Sequence, residues 1–467
     1  MQIGKVNKTI NKSIIIDVTQ LSTPEYLRNT QLSVKREIQN KIALNQELLF
    51  FGDAKKILVP KKVESVLRNH IPKENLKLID SNIEVAIEKC LLFLSNLSTC
   101  CYTDNKYKIL HSINLHDQLK VGKHNTYIYT KVIQCLREGS PKNGPIIEVL
   151  QSKANKDLYY SGQGGSKRYR LATRYSEAGT VYYELKQAKI ISQRVEYQCR
   201  KLKETMENPI GKNLLSFYHL IQLPSEKEIS EEADRLLKIK FITKKGKRLT
   251  KGSRKTSKHL DKDSRAFIED HIALYNTLTK NGFIIPSVTG ESAGGRVVDS
   301  FTLMPSWIRN LVKIDGASIE ELDYAALHPN IAVSIYGGKQ KGITHERLQK
   351  CLDIEKSEVK VEHLSFFNKD WDAMSISPLF WYYKQTEPEM MENIFKDKLE
   401  NGYKITSQRL FKKEVDIISK AIEFLNSEEI YVGYVYDALF CHPRHRERVK
   451  EVMNYFVREA GVCTKVK

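Results

Sequence analysis

Apolar residues recur at three- and four-residue steps from Ile83 to Leu97, the spacing of one buried helix face. Tyr26 to Phe51 is longer and more mixed, and with it residues 25–100 read as a helical region. Ile128, Val132, Ile133 and Leu136 place another helix, and Ile146, Ile147, Val149 and Leu150 suggest a second beside it. The pattern then changes. Leu158-Tyr159-Tyr160 and Tyr169-Arg170-Leu171 are β-favouring arms around Gly162-Gln163-Gly164-Gly165, which predicts a hairpin. Helix, helix, basic hairpin is the outline of a winged helix, in which Lys167, Arg168 and Arg170 grip phosphates. The same arm equally reads as a strand packing on the rest of the protein. Val449, Val452, Met453, Phe456 and Val457 put an apolar stripe on a helix from Arg446 to Ala460. Gly461 ends it, and Cys463 to Val466 reads as a final strand. No internal repeat interrupts this order.

Two short β-favouring runs each break on a carboxylate. Ile319-Glu320-Glu321-Leu322 leads to Asp323, and Tyr431-Val432-Gly433-Tyr434-Val435-Tyr436 leads to Asp437. A carboxylate at a strand end is costly to bury unpaired. Two that converge on one sheet face can hold two divalent cations roughly 3.5–4 Å apart, the arrangement for in-line phosphoryl displacement. The same two residues also fit ordinary turns, so the flanking sequence decides between the readings.

Upstream of Asp323 stand Gly295-Arg296, Met304-Pro305 and Arg309, and then Asp323-Tyr324-Ala325-Ala326-Leu327-His328. That order resembles the family A DNA polymerases and their relatives, the phage-type single-subunit RNA polymerases. There a Gly-Arg pair and an Ile-Pro segment precede the strand of motif A. Tyr436-Asp437-Ala438 resembles motif C, and the likeness covers roughly residues 285–467. It implies a helix between the aspartates that carries cations for a triphosphate. Lys356-Ser357-Glu358-Val359-Lys360 can supply it, since Lys356 and Lys360 lie four apart on one face, with Asn368 beyond. Interleaved Glu355, Glu358 and Glu362 fit a solvated helix equally well.

The sequence departs from the family at two places. His328 stands where the DNA enzymes have the glutamate that excludes a 2′-hydroxyl and the RNA enzymes a small residue. Its imidazole can crowd a ribose or hydrogen-bond to it, or pack in the first turn of the helix that Pro329 begins. Motif C has tyrosine for its histidine, and Ala438 replaces its acidic third residue. The resemblance then leaves Asp323 and Asp437 as catalytic residues and metal ligands, with the backbone carbonyl of Tyr324 as a third ligand.

The chain has 467 residues, with 75 Lys and Arg against 56 Asp and Glu, a formal charge of +19. Such an excess attracts polyanions and supports phosphate contacts. Much of it is concentrated at Lys244, Lys245, Lys247, Arg248, Lys251, Arg254, Lys255 and Lys258, where no acid intervenes. This stretch reads as a strand clamp that a polyanion orders, or as a solvated spacer. Arg444, His445, Arg446 and Arg448 form a smaller cluster. No apolar run approaches the roughly 20 residues that span a bilayer. Met1-Gln2-Ile3-Gly4-Lys5 has no signal-peptide core behind it, and the eight cysteines form no Cys-x-x-Cys pair. A reduced, cytoplasmic setting is the expectation, with no zinc site.

These readings combine into an α+β right-hand polymerase with an antiparallel-sheet palm. Helical fingers fall around 340–420, behind a mainly helical N-terminal region. The expected units are a helical region at 1–120, a winged-helix-like nucleic-acid-binding or thumb region at 121–235, a basic linker and helix at 236–284, and palm with fingers at 285–467. The implied activity is templated nucleotidyl transfer with two Mg2+ ions, most closely a DNA polymerase of phage or mobile-element type acting in DNA replication. Lys356, Lys360, His328 and Asn368 would meet the nucleoside triphosphate. Arg296, Arg309, Lys251, Arg254, Lys255, Lys258, Lys167, Arg168 and Arg170 would hold nucleic acid. An RNA polymerase of the same fold, an untemplated nucleotide-adding enzyme and a catalytically silent nucleic-acid-binding protein are the alternatives.

Overall fold

The computed structural model describes residues 49–104, 106–120, 127–151, 157, 159–160, 166–257 and 259–467. The Tyr26–Phe51 helix reading lies outside the described residues except at 49–51, and Lys258 lies outside them too. The chain mixes many helices with small sheets, mostly antiparallel.

Two apolar cores organise it. The upstream core runs from Ile57 to Ile190. Strand β1 (Lys56–Pro60) pairs there with β6 (Thr180–Glu184), and α1 (Ile83–Ser95) buries an apolar stretch from Val85 to Leu94. Asn82 caps that helix by accepting from the amides of Glu84 and Val85, which otherwise lack partners. A four-stranded antiparallel sheet joins β2 (Lys108–Leu110), β3 (Ile147–Val149), β4 (Tyr159–Tyr160) and β5 (Ser166–Leu171), with α2 (Ile128–Glu138) beside it. The two arms of the expected hairpin pair, with Tyr160 opposite Ser166, whereas its glycine-rich turn lies outside the described residues.

The helix expected at Ile146–Leu150 is instead the strand β3. Its side chains alternate, Ile147 and Val149 inward and Glu148 toward solvent, and Glu148 pairs with Arg170 on β5. A short β-branched run after Gly144-Pro145 fits either element by composition, and cross-strand pairing selects the strand. The helix-helix-hairpin outline of a winged helix therefore does not hold as drawn.

Helix α3 (Ala188–Met206) leaves the first core at Ile190 and enters the second at Leu202. The basic stretch that follows is folded. Its strand β7 (Arg248–Thr250) runs parallel to β8 (Arg265–Phe267). Lys247 and Arg254 both reach Asp104, and the Arg254 amide donates to Asp270. Close acids at Asp104 and Asp270 neutralise part of the cationic run and tether it.

The downstream core surrounds a three-stranded antiparallel sheet. It contains β9 (Glu320–Asp323), β10 (Gly433–Val435) and β11 (Ala438–Cys441), with β11 in the centre. Leu322 and Tyr434 both lie opposite Leu439, and all three are fully buried. Helix α4 (Leu327–Tyr336) follows β9, and a helical tract includes α5 (His345–Leu352), α6 (Lys356–Phe366) and α7 (Ile405–Ser427). Helix α8 (Arg446–Glu459) packs behind the sheet through Val449, Val452, Met453 and Val457. Gly461 follows it with φ +73°, the left-handed conformation that helix ends favour. The last strand expected at 463–466 contracts to one bridge, Tyr324 opposite Val466. Among the described residues no helix is long and apolar enough to cross a membrane.

Candidate active site

Antiparallel register brings the two aspartates together. Asp323, the last residue of β9, lies opposite Ala438, so Asp437 is its diagonal neighbour. Asp437 occupies a two-residue hairpin turn, Tyr436-Asp437, because Val435 and Ala438 pair across it. Tyr436 has φ +59° and Asp437 does not share that sign, the φ pattern of a type II′ turn whose first central position ordinarily takes glycine. A bulky aromatic there stores about 1–3 kcal/mol of backbone strain, which the surroundings must hold in place.

Those surroundings are a stacked guanidinium. The Arg296 side chain lies 3.8 Å from the centre of the Phe411 ring and 4.6 Å from that of Tyr436. Its Nε and Nη2 both donate to Glu414, at 2.7 and 2.6 Å. Oε2 of Glu414, which accepts from Nη2, also lies 2.6 Å from His328 Nε2. Glu414 is fully enclosed. Burial opposes its charge, but the His328 hydrogen bond and Arg296 hold its carboxyl below the ordinary value. Gly294 makes this packing accessible: its φ is +70°, and a Cβ there would lie 2.4 Å from Cβ of Phe411.

The aspartates are electrostatically loaded. Burial and then the Asp437 charge push Asp323 up to about 7. Burial and then the Glu414 charge raise Asp437. Oδ1 of Asp323 is buried with no hydrogen-bond partner. An orphaned carboxylate oxygen beside a second carboxylate suits a divalent cation, which supplies the missing partner and cancels the repulsion. Among the described residues no three His, Cys, Asp or Glu side chains cluster as a metal site. Asp323 O accepts from Lys467 N and Lys465 O from Ala325 N, so strand alternation turns the Tyr324 carbonyl away from 464–467 toward the Asp437 hairpin. The Tyr324 ring is anchored by its hydroxyl, which donates to the Met453 carbonyl at 2.8 Å.

The other residues singled out in the sequence scatter. Lys356 opens α6 and pairs with Glu346 on α5, whereas Lys360 is exposed on the same helix. Asn368 accepts from Ser407 at 3.1 Å. His345 lies within electrostatic reach of Lys467, Lys360 and Lys356, and Lys467 also reaches Asp323, so these cations form one neighbourhood. Arg309 is only 5% exposed, donates to the Phe301 carbonyl and packs on Phe301 and Phe440. It braces the core beneath the sheet. Lys251 and Lys255 are exposed, whereas Arg254 is committed to Asp104. Lys167 pairs with Asp157 and Arg170 with Glu148, and both cations lie with Arg168 on β5, in the sheet of the upstream part of the chain rather than the one that carries Asp323.

Sequence reading missed Glu414, Phe411 and Lys467. The signal for Glu414 was present: it interrupts the apolar row Leu410, Ile417, Ala421 and Leu425 of α7. A carboxylate on a buried stripe demands a partner. No family model matches the chain, and no curated protein matches it. Among solved structures it is similar to the POL domain of Pol1 from M. smegmatis, solved in complex with DNA primer-template and dNTP. The match covers 61% of this chain and 76% of that one, at 12% identity and a TM-score of 0.35, a level that does not establish a shared fold.

Proposed function

We propose that this chain is a template-directed nucleotidyltransferase that uses two Mg2+ ions, with Asp323 and Asp437 as the catalytic carboxylates. The observation that carries the reading is the pairing of two desolvated carboxylates, Asp323 at the end of β9 and Asp437 in the β10–β11 turn, with one Asp323 oxygen orphaned. Proteins rarely tolerate such a pair without a cation or a shared proton. Asp323, Asp437 and the Tyr324 carbonyl would hold the ions, which supply nucleophile activation and charge neutralisation when bound. The enclosed Arg296–Glu414 pair fixes Tyr436, and so the Asp437 turn, in one geometry. Lys360 and Lys467 supply positive charge for a triphosphate. His328, oriented by Glu414, stands at the sugar, and a DNA product is the favoured version, with an RNA polymerase of the same kind as the alternative.

Ala438 favours a second reading, a nucleic-acid-binding protein without catalysis. It is buried opposite Asp323 and leaves no third carboxylate at the turn. Primer extension on DNA and RNA templates, with dNTPs or NTPs and with or without Mg2+, separates the two. Metal-dependent incorporation that is lost in Asp323→Asn and Asp437→Asn supports the polymerase. Binding without extension under every condition supports the silent protein.

A further inference from the structure

A basic depression lies directly behind the Asp323 strand. Lys450, Asn454 and Arg458 project from one face of α8 at successive four-residue steps, and Thr464 to Lys467 form the facing wall of an open depression of about 500 Å³. The two walls are fixed to each other, since Asn454 Oδ1 accepts from the Val466 amide at 2.9 Å. Arg458 Nε donates to the Asn454 carbonyl at 3.0 Å.

No lining side chain offsets the cations of this depression. Every residue lining it is cationic, neutral polar or apolar. The acids of α8 are engaged elsewhere: Glu447 with Arg446, Glu451 with Arg448, and Glu459 with Lys420. Lys450, Lys465 and Lys467 therefore face the same space as Arg458 with no acidic side chain among the described residues that line it, at a self-repulsion that a bound polyanion relieves. Lys467 connects the depression to the carboxylate pair. Its amide donates to the Asp323 carbonyl at 3.0 Å, and its charge acts on both Asp323 and His345.

We infer that this depression binds a polyphosphate chain, the triphosphate end of a nucleotide or the pyrophosphate it releases. Four cations on two rigid walls match consecutive phosphates, with lysines as point charges and Arg458 as a directional donor. Naming that ligand rests on the nucleotidyl-transfer reading, but the anion site itself does not require catalysis.

The test is titration calorimetry with inorganic tripolyphosphate in EDTA, on the full chain. The proteins are wild type, Asp323→Asn and the triple variant Lys450→Gln/Arg458→Gln/Lys465→Gln. A 5′-hydroxyl oligonucleotide binding assay runs in parallel. The expected result is a loss of tenfold or more in tripolyphosphate affinity in the triple variant, with oligonucleotide affinity unchanged. Asp323→Asn should retain tripolyphosphate binding even if catalysis is absent from every protein tested, which separates this site from the catalytic reading. Unchanged tripolyphosphate affinity in the triple variant overturns the inference. So does a triple variant that loses only oligonucleotide affinity, because the depression would then hold backbone phosphates. The single variant Lys465→Glu, at an exposed position, should reproduce the loss where the triple variant folds poorly.

Discussion

Asp323→Asn keeps the shape of the side chain and removes its charge, so it isolates the electrostatic cost of the carboxylate pair. In the metal-free protein, burial and Asp437 carry the Asp323 carboxyl from 3.8 to about 7. That displacement corresponds to an upper limit of about 4 kcal/mol at full ionisation. The sign follows from proton counting. Between about pH 4 and pH 7 the folded state keeps a proton that the unfolded state has released, so wild-type stability falls as pH rises through this window. Asparagine has no proton to lose. The variant should therefore match wild type near pH 4 and be more stable by about 1–4 kcal/mol at pH 8. Added MgCl2 should stabilise wild type at pH 8 by about 2.7 kcal/mol at a hundredfold excess over its dissociation constant, and the variant far less. Urea titrations followed by tryptophan fluorescence suit the measurement, because Trp307, Trp371 and Trp381 all lie in the downstream part of the chain. A metal-free variant less stable than wild type at pH 8, or a difference that ignores pH, would refute the paired-carboxylate argument.

Three further outcomes are expected. Glu414→Ala strands the Arg296 guanidinium in a largely enclosed site and should cost about 3–5 kcal/mol, whereas the double variant Arg296→Met/Glu414→Leu should recover much of that loss in the same urea assay. His328→Ala should raise the catalytic efficiency for NTP relative to dNTP if the imidazole is a steric barrier. An unchanged ratio would place His328 away from the sugar. Neutralising Lys251 and Lys255 should lower the log–log salt slope of nucleic-acid binding by about 0.7–0.9 for each phosphate that they neutralise in the wild type, with a smaller effect from Arg254 because Asp104 already pairs with it. A slope that does not move would make this stretch a folded spacer only.

The sequence by itself placed the elements whose causes are local. Helix α1, the apolar stripe of α8 and its Gly461 stop, and the strand leading to Asp323 all follow from side-chain periodicity and end chemistry. It also singled out Asp323 and Asp437, since each ends a short β-favouring run and the flanking motifs fall in order around them. Tertiary structure decided everything that depends on who lies opposite. Ile147–Val149 became a strand because β5 offered an edge to pair with, a choice its three residues could not make alone. Asp437 became Asp323's neighbour only through the register of β9 on β11. Glu414, Phe411 and Arg296 come from segments far apart along the chain, and nothing in their local spacing announces that one enclosed ion pair will brace the turn carrying Asp437. Arg309 and Arg296 look alike as isolated cations in the sequence, yet packing put the first beneath the sheet and the second against Glu414. Charge is legible residue by residue, whereas its desolvation is a property of the assembled fold.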